Sequence, residues 1–151
     1  MADIVPSAVR SRMMSGIRNR DTKPEMVIRR MLHRAGFRYR LHDRTLPGCP
    51  DLVLPRRKAV VFVHGCFWHG HDCHLFRLPA TRTGFWRDKI AANVRRDQSA
   101  MADLARMGWR IGTVWECAIR GKTRLSAETV QTRLTAWLLS DERAIELRGT
   151  A

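Results

Sequence analysis

Residues 64–74 read HGCFWHGHDCH, so four histidines and two cysteines surround one Phe-Trp pair. Thiolate and imidazole groups are the usual ligands of structural zinc, and an imidazole near a carboxylate can move a proton during hydrolysis. Aromatic side chains in a basic protein can also stack on nucleic-acid bases. The segment therefore predicts a metal site, a catalytic site or an aromatic binding surface.

The first hypothesis is a zinc site that also uses one cysteine outside this segment. Three thiols and one imidazole provide a tetrahedral ligand set: Cys66, His71, Cys73 and Cys117. Four protein ligands leave no open coordination position, so the zinc would be structural and would fasten a loop to a strand end. The spacing differs from the paired Cys-x-x-Cys of common zinc modules, so buried cysteines without a metal are the alternative.

The second hypothesis is a catalytic site at Asp51 and His64. Asp51 opens one predicted strand and His64 closes the next, so antiparallel pairing would bring a carboxylate and an imidazole together. The carboxylate can hold Mg²⁺, which activates water and stabilises charge on a phosphodiester, and the imidazole can transfer a proton. His69, Glu25 and Asp97 could join this site. The simpler interpretations are a strand-start cap for Asp51, a helix cap for Glu25 and a solvated helix carboxylate for Asp97.

The third hypothesis concerns aromatic residues that fall outside any clear strand pattern. They are Phe67, Trp68, Phe85 and Trp86, and they lie near glycines, histidines and arginines. Such side chains can stack on bases or wedge between base pairs. Packing against the zinc loop is the alternative interpretation.

The charge of the chain favours a polyanionic partner. Among 151 residues, 28 are Lys or Arg and 14 are Asp or Glu, which gives a formal net charge of +14. This excess creates a strong positive field, and no segment pairs a basic face with a large apolar one, so we expect nucleic acid instead of a membrane. No apolar segment approaches the length of a bilayer span, and none at the start resembles a leader. We therefore expect one soluble, intracellular domain.

Periodicity and capping residues predict the elements that position these side chains. The predicted order is α-β-β-β-α-β-α: a helix capped by Thr22 and ended by Gly36, strands over 37–41, 51–54 and 59–63, a helix over 83–107, a strand over 109–115 and a helix capped by Ser126. The short link over 55–58 makes the second and third strands a hairpin. Residues 1–20 mix arginines and methionines without periodicity and are predicted to form a basic arm. The order indicates an α/β fold with a mixed central sheet flanked by helices.

Several short motifs occur in order along most of the chain. They are Pro50-Asp51, Phe62-Val-His64-Gly-Cys-Phe-Trp-His69, Pro79-Ala-Thr-Arg-Thr83, Phe85-Trp86, Lys89-Ile90, Asn93-Val94, Asp97, Gly108-Trp109-Arg110 and Val114-Trp-Glu-Cys-Ala118. Together they resemble the very short patch repair (Vsr) endonuclease family over roughly residues 11–138. The resemblance implies a restriction-endonuclease-like fold with a DNA-contacting basic arm over 1–20, an endonuclease domain over 21–140 and a C-terminal tail over 141–151.

The family's activity, as the resemblance implies it, is to nick one strand on the 5′ side of the thymine in a T·G mismatch left by deamination of 5-methylcytosine. This role would explain the net charge of +14. Carried over by position, Asp51 and the backbone carbonyl of Val63 would bind Mg²⁺, and His69 would be the general base. The residues expected to order the metal-bound waters are His64, Asp97 and Glu25. The Cys66, His71, Cys73 and Cys117 set would be the structural zinc site.

The resemblance also implies specific DNA contacts. Phe67, Trp68 and Trp86 would wedge into the duplex from the major groove, while Met14 of the basic arm would enter from the minor groove. The residues expected to touch the mismatched bases are Lys89 and Asn93. The protein would be a monomer in the bacterial cytoplasm, associated with the nucleoid. Its partners would be double-stranded DNA with a T·G mismatch and mismatch-repair proteins.

Two departures from familiar patterns bear on the site. In the usual nuclease motif of this superfamily an acidic residue and a lysine follow Pro-Asp, whereas Phe62-Val63-His64 stands here, as in the family's own variant. Gly70 and Asp72 interrupt a denser histidine run, which leaves His74 as an alternative zinc ligand to His71.

Two rival functions use the same residues. One is a zinc-stabilised DNA-binding protein without catalysis, and Asp51 argues against it because a carboxylate beside a phosphate repels DNA unless a cation intervenes. The other is a nuclease that ignores mismatches, and the wedge aromatics argue against it because inserted side chains serve to sense weakened pairing. Cys49, which precedes Pro50-Asp51, is a spare thiol.

Overall fold

The computed structural model describes residues 21–150. The predicted basic arm over 1–20, with Met14, lies outside these residues. The elements in chain order are α1 (Lys23–Arg34), β1 (Arg40–Leu41), β2 (Leu52–Leu54), β3 (Ala59–His64), α2 (Thr83–Arg106), β4 (Arg110–Trp115), α3 (Ala127–Leu138) and β5 (Ala144–Leu147). Single 3₁₀ turns at Pro55–Arg57 and Glu116–Ala118 follow β2 and β4.

The five strands form one mixed sheet in the order β1-β2-β3-β4-β5. Antiparallel pairing joins β1 to β2 and β2 to β3, and parallel pairing joins β3 to β4 and β4 to β5. All six residues of β3 are buried, as expected for the central strand of a sheet covered on both faces. The predicted mixed α/β sheet flanked by helices is therefore confirmed.

Alternation along β3 divides the core between the two faces of the sheet. Val61 and Val63 join the larger cluster, to which α1 and α3 contribute Leu32 and Leu134. Val60 and Phe62 belong to the smaller cluster beneath α2. Since successive side chains of a strand point to opposite faces, each helix layer receives every second residue of β3.

Local signals explain where α1 begins and ends. The Thr22 side chain accepts a hydrogen bond from the Glu25 backbone N–H at 3.3 Å, and Pro24 occupies the first turn. These features satisfy the free N–H groups of a helix start. Gly36 follows the helix with a φ of 97°, a left-handed conformation that glycine adopts without steric cost. The predicted capped helix is confirmed.

The edges of the sheet differ from the sequence prediction. The expected strand over 37–41 is reduced to Arg40–Leu41, and both residues are exposed. Beyond α3, the segment expected to be a tail contains β5, which places Leu147 beside Val114 of β4. Leu147 is fully buried. The pattern missed β5 because Ala144–Leu147 is short and carries a charged residue between its apolar ones.

Leu147→Ala should test whether the last strand is part of the core. Removing a fully buried leucine side chain leaves a cavity, so the free energy of unfolding should fall by about 2–5 kcal/mol. Leu139→Ala makes the same chemical change at a side chain that is 60% exposed, and it should cost less than about 0.5 kcal/mol. Equal urea midpoints for the two variants would contradict the placement of β5.

Candidate active site and metal centre

A cleft of about 700 Å³ opens at one edge of the sheet. Asp51 precedes β2, and His64 ends β3, so antiparallel pairing brings both to this edge. Parallel pairing places Trp115, the last residue of β4, beside His64. Eight of the sequence-predicted residues line the cleft: Glu25, Asp51, Val63, His64, Phe67, Trp68, His69 and Asp97.

Asp51 is fixed by the strand next to it. Its Oδ2 atom accepts a hydrogen bond from the Val63 backbone N–H at 2.7 Å. Burial raises the pKa of Asp51 to about 7, against the lowering effect of that hydrogen bond, and the nearby Glu25 carboxylate raises it further. Two carboxyl groups this close cannot both ionise cheaply without a cation. The pair is therefore prepared to bind a positive ion.

His42 is a member of this site that sequence reasoning missed. Its Nε2 atom lies 2.8 Å from Glu25 Oε2 and 4.0 Å from Asp51 Oδ1. Its backbone N–H donates to the Asp51 carbonyl at 3.1 Å, and its φ is 47°. On the Glu25 side, Arg29 contacts Oε2 at 3.4 Å. The polar position after Leu41 was visible in the sequence, but the left-handed turn that aims His42 at the carboxylates was not.

Two histidines and an aspartate, His64, His69 and Asp97, also line the cleft. The rings of His64 and His69 stack with centroids 3.8 Å apart, and His69 Nδ1 lies 2.6 Å from Asp97 Oδ2. Asp97 thus holds the Nδ1 proton of His69 and leaves Nε2 free to accept another. His64 is buried, and this burial lowers its pKa well below the ordinary value, with further lowering by the neighbouring imidazoles. Its Nδ1 atom has no hydrogen-bond partner among residues 21–150.

The predicted zinc ligands converge behind this histidine pair. The ligand atoms of Cys66, His71, Cys73 and Cys117 all lie within 4.8 Å of one another. His71 Nδ1 is 3.5 Å from Cys66 Sγ and 3.6 Å from Cys117 Sγ. A tetrahedral zinc with Zn–S and Zn–N distances of about 2.3 and 2.05 Å requires a sulfur–nitrogen separation of about 3.6 Å. The residues therefore fit a four-coordinate metal.

The surroundings of these ligands support the same conclusion. Burial raises the pKa of the Cys66 and Cys117 thiols and lowers the pKa of His71, so without an ion these three side chains stay neutral. The ring of His71 stacks on Trp115 at 3.9 Å, which fixes its orientation. His74 lies instead beside the Thr123 hydroxyl at 3.4 Å, so His71, the preferred ligand, is the one within the cluster.

The segment over 66–73, here called the zinc loop, rests directly on α2. Gly70 has a φ of 63°, and a Cβ there would come within 2.9 Å of Val94 and 3.0 Å of Ile90. Asn93 Nδ2 donates to the Trp68 carbonyl at 2.9 Å, and Asp97 Oδ2 lies 2.6 Å from His69 Nδ1. Positions 90, 93 and 97 share one helical face, so a single face of α2 holds the loop.

The aromatic residues form a cluster at the mouth of the cleft. Ring centroids of Phe67 lie 5.1 Å from Trp68 and 5.7 Å from Trp86, and Trp68 and Trp86 are 5.8 Å apart. All three are only partly buried. Phe85 is 46% exposed, with the Arg82 guanidinium 4.3 Å from its ring centre. The cluster thus presents flat apolar surface beside basic side chains, which suits stacking on bases.

The two residues expected to touch mismatched bases are placed differently. Lys89 is half-buried on α2, whereas Asn93 is buried, and its amide is bonded to the Trp68 carbonyl and to Arg96. In this arrangement Asn93 supports the backbone of the zinc loop at Trp68. Cys49 lies exposed at the cleft wall with a φ of 48°.

Glu116 is a further site residue that the sequence did not reveal. Its Oε1 atom accepts a hydrogen bond from the Cys66 backbone N–H at 3.2 Å, and its Oε2 atom lies 2.5 Å from Arg120. Glu116 and Arg120 both line the cleft. The signal available was the position of Glu116 directly before the predicted ligand Cys117, but a contact between residues 66 and 116 requires the parallel pairing of β3 and β4.

Comparison with known proteins agrees with this geometry. The family model described as DNA mismatch endonuclease Vsr matches residues 2–75. The chain is 43% identical over 147 residues to DNA mismatch endonuclease Vsr of Escherichia coli, covering 97% of this chain and 94% of that protein. It is 46% identical over 127 residues to the type II nicking enzyme V.XorIIP of Xanthomonas oryzae pv. oryzae, covering 84% and 93%. It is 43% identical over 122 residues to V.NmeAIP of Neisseria meningitidis, covering 81% and 87%.

The mixed sheet carries the half-buried Asp51 carboxylate at the edge where β2 begins and β3 ends. This arrangement is that of a restriction-endonuclease-like fold. Within that class, the chain belongs to the Vsr family of DNA mismatch endonucleases. The resemblance seen in the sequence motifs is confirmed.

Asp51→Asn should change how stability depends on pH in the absence of Mg²⁺. The pKa of Asp51 is about 7 in the folded protein and about 4 when unfolded, so folding holds a proton that the unfolded chain releases. Stability of the unchanged protein should therefore fall between about pH 4 and pH 7, an effect that the amide removes. Urea unfolding at several pH values should show the variant's advantage growing toward pH 7. Parallel pH profiles for the two proteins would contradict this.

Proposed function

We propose that this protein recognises T·G mismatches in double-stranded DNA and nicks one strand on the 5′ side of the mismatched thymine, using Mg²⁺. Its substrate would be the T·G mismatch that deamination of 5-methylcytosine leaves, and the nick would start very short patch repair. The observation that carries the proposal is one cleft lined both by Asp51, which accepts a hydrogen bond from the Val63 backbone, and by the His69–Asp97 pair.

Asp51 and the Val63 backbone carbonyl are the proposed Mg²⁺ ligands. The raised pKa of Asp51, about 7, supports this because a bound cation would relieve the repulsion from Glu25 and restore the charged carboxylate. When bound, Mg²⁺ supplies stabilisation of charge on the phosphate and a more acidic water. Without such a cation, these carboxylates would repel the DNA backbone.

His69 is the proposed general base. Because Asp97 holds its Nδ1 proton, Nε2 can take a proton from the attacking water while the new O–P bond forms and one bridging P–O bond breaks. His64, Asp97 and Glu25 would order the waters around the cation. Stacking on His64 would hold the His69 ring in place beside the end of β3.

Four sulfur and nitrogen ligands, three of them on buried residues and one on the half-buried Cys73, would hold a structural Zn²⁺. Cys66, His71, Cys73 and Cys117 fit tetrahedral distances and leave no open position for catalysis. The ion would connect the zinc loop to the end of β4. Since His69 and the aromatic pair at 67–68 lie inside this loop, the ion would fix both groups relative to the sheet.

Mismatch sensing is assigned to the aromatic cluster. Phe67, Trp68 and Trp86 would insert from the major groove, Met14 would enter from the minor groove, and Lys89 would lie nearest the bases. The buried Asn93 would hold the Trp68 backbone in place for this insertion. A T·G pair is easier to unstack than T·A, so insertion would favour the mismatch. The exposed Phe85 face and the net charge of +14 support a DNA-binding surface here.

The cellular setting is proposed from the same substrate. A bacterial enzyme that repairs chromosomal T·G pairs would act as a monomer at the nucleoid in the cytoplasm, alongside mismatch-repair proteins. Within residues 21–150, no helix is long and apolar enough to cross a membrane.

A nicking assay tests the proposed function directly. With Mg²⁺, purified protein should nick one strand of a T·G duplex and leave the matched T·A duplex intact. Asp51→Ala should abolish nicking while binding to the T·G duplex persists, because it removes the cation ligand and not the aromatic surface. Equal cutting of both duplexes would remove mismatch specificity from the proposal. Binding without any cutting by the unchanged protein would favour the non-catalytic rival.

Asp97→Asn should separate the general base from binding. The amide cannot hold the Nδ1 proton of His69 as a carboxylate does, so kcat should fall by about 10²–10⁴-fold with little change in DNA affinity. Asp103→Asn is the matched control, since Asp103 is an exposed carboxylate on the same helix and pairs with Arg106. If the two variants nick the T·G duplex at the same rate, Asp97 does not assist the base.

A further inference from the structure

The chain beyond β5 runs across the zinc site instead of leaving the domain. Within the C-terminal segment, defined as residues 146–150, three residues contact groups on or beside the metal ligands. Thr150 then joins Thr123 through its backbone N–H at 2.8 Å, which anchors the end of the segment. The three residues are not themselves metal ligands and do not line the cleft.

Gly149 makes the closest approach to a ligand. Its backbone N–H points at Cys117 Sγ at 3.3 Å, and a donor in this position stabilises negative charge on a thiolate. The fit leaves no room for a side chain, because a Cβ at Gly149 would lie 2.6 Å from the Cys117 carbonyl oxygen. Glycine is therefore required for the backbone to reach the sulfur.

Arg148 binds the zinc loop at Asp72, the residue between the ligands His71 and Cys73. Its Nη1 atom donates to Asp72 Oδ1 at 2.8 Å, and its Nη2 atom donates to the Asp72 carbonyl at 3.1 Å. Asp72 Oδ1 in turn lies 3.6 Å from His71 Nε2, a buried atom without a hydrogen-bond partner among the described residues. At 3.6 Å this contact is an ion-pair approach and not a hydrogen bond, and Arg148 fixes the Asp72 carboxylate on that side of the His71 ring.

Glu146 extends the same support to the rings. Its Oε2 atom accepts a hydrogen bond from Trp115 Nε1 at 3.0 Å. Trp115 stacks on His71 at 3.9 Å and meets the edge of His64 at 5.3 Å. The strand residue thus orients the aromatic ring that lies between the zinc ligand and the cleft histidine.

We propose that the C-terminal segment is a positioning element that keeps the zinc loop closed over its metal ion. The proposal rests on the zinc site assigned above and extends it to residues outside the ligand set. Arg148 holds the zinc loop at Asp72 and Gly149 holds Cys117, and the loss of these contacts lets His71 and Cys117 leave the ion more readily. The segment acts through the ligands and does not touch DNA or the scissile phosphate.

The rate at which zinc leaves the protein tests this proposal. Zinc-loaded full-length protein, a chain ending at Leu147 and the Arg148→Ala variant are each mixed with an excess of a chromophoric chelator. Removing partners outside the ligand set weakens metal binding by about 10–100-fold, so the shortened chain should release zinc at least about tenfold faster. Arg148→Ala removes the exposed ion pair with Asp72 and the hydrogen bond to the Asp72 carbonyl, and it should speed release about threefold.

Arg106→Ala is the matched control for charge. It breaks another exposed arginine–aspartate pair, with Asp103 on α2, and should release zinc as slowly as the full-length protein. Release from both altered chains at the full-length rate would overturn the positioning role. If the shortened chain does not fold, Arg148→Ala decides alone, and equality with the control overturns the proposal.

The zinc content of the full-length protein separates this proposal from the one on which it depends. A full-length protein that holds no zinc after loading would refute the zinc site and the positioning role together. A full-length protein that holds one zinc, with unchanged release from the variants, would refute the positioning role alone. Unchanged zinc release from the variants would leave the proposed nicking activity untouched, and the T·G duplex assay tests that activity separately.

Discussion

The parallel pairing of β3 with β4 is the constraint on which the rest of the site depends. It sets His64 beside Trp115, so the residues that follow each strand leave the sheet together. The Cys66 backbone N–H then reaches Glu116, and the Cys117 backbone N–H reaches Cys66 Sγ at 3.4 Å. Parallel neighbours require a crossover, and α2 provides it. Because that same helix carries Asn93 and Asp97, the connection that makes the pairing possible also supports the zinc loop and orients His69.

The cleft combines features that oppose each other electrostatically. The chain has a net charge of +14, yet two carboxylates line the cleft, the buried Glu25 and the half-buried Asp51. Burial and then the Glu25 carboxylate raise the pKa of Asp51 to about 7, although His42 and Arg29 lie close to Glu25. The basic surface attracts DNA over a distance, while the cleft remains unfavourable to it until a cation is present. Binding and cleavage are therefore separate electrostatic problems in this fold.

Local sequence signals predicted the elements that depend on neighbouring residues. Thr22 and Glu25 located the start of α1, and the short link after Leu54 predicted the β2–β3 hairpin. The zinc set followed from residue types alone. The roles of His42 and Glu116 could not be found this way, because one depends on a left-handed backbone turn and the other on strand register. The last strand was missed because its burial comes from pairing with β4, not from its own pattern.

The close approach at Gly70 has a consequence for how such an enzyme can diversify. Any side chain there would press on Val94 and Ile90, so the inner surface of the zinc loop and one face of α2 must change together or not at all. The outer surface is less tightly constrained, because Phe67, Trp68 and Phe85 meet neighbouring rings through side chains that are half-buried or exposed. Single substitutions that alter sequence preference are thus confined to the outward side, and laboratory evolution of new specificities should begin with libraries at those positions.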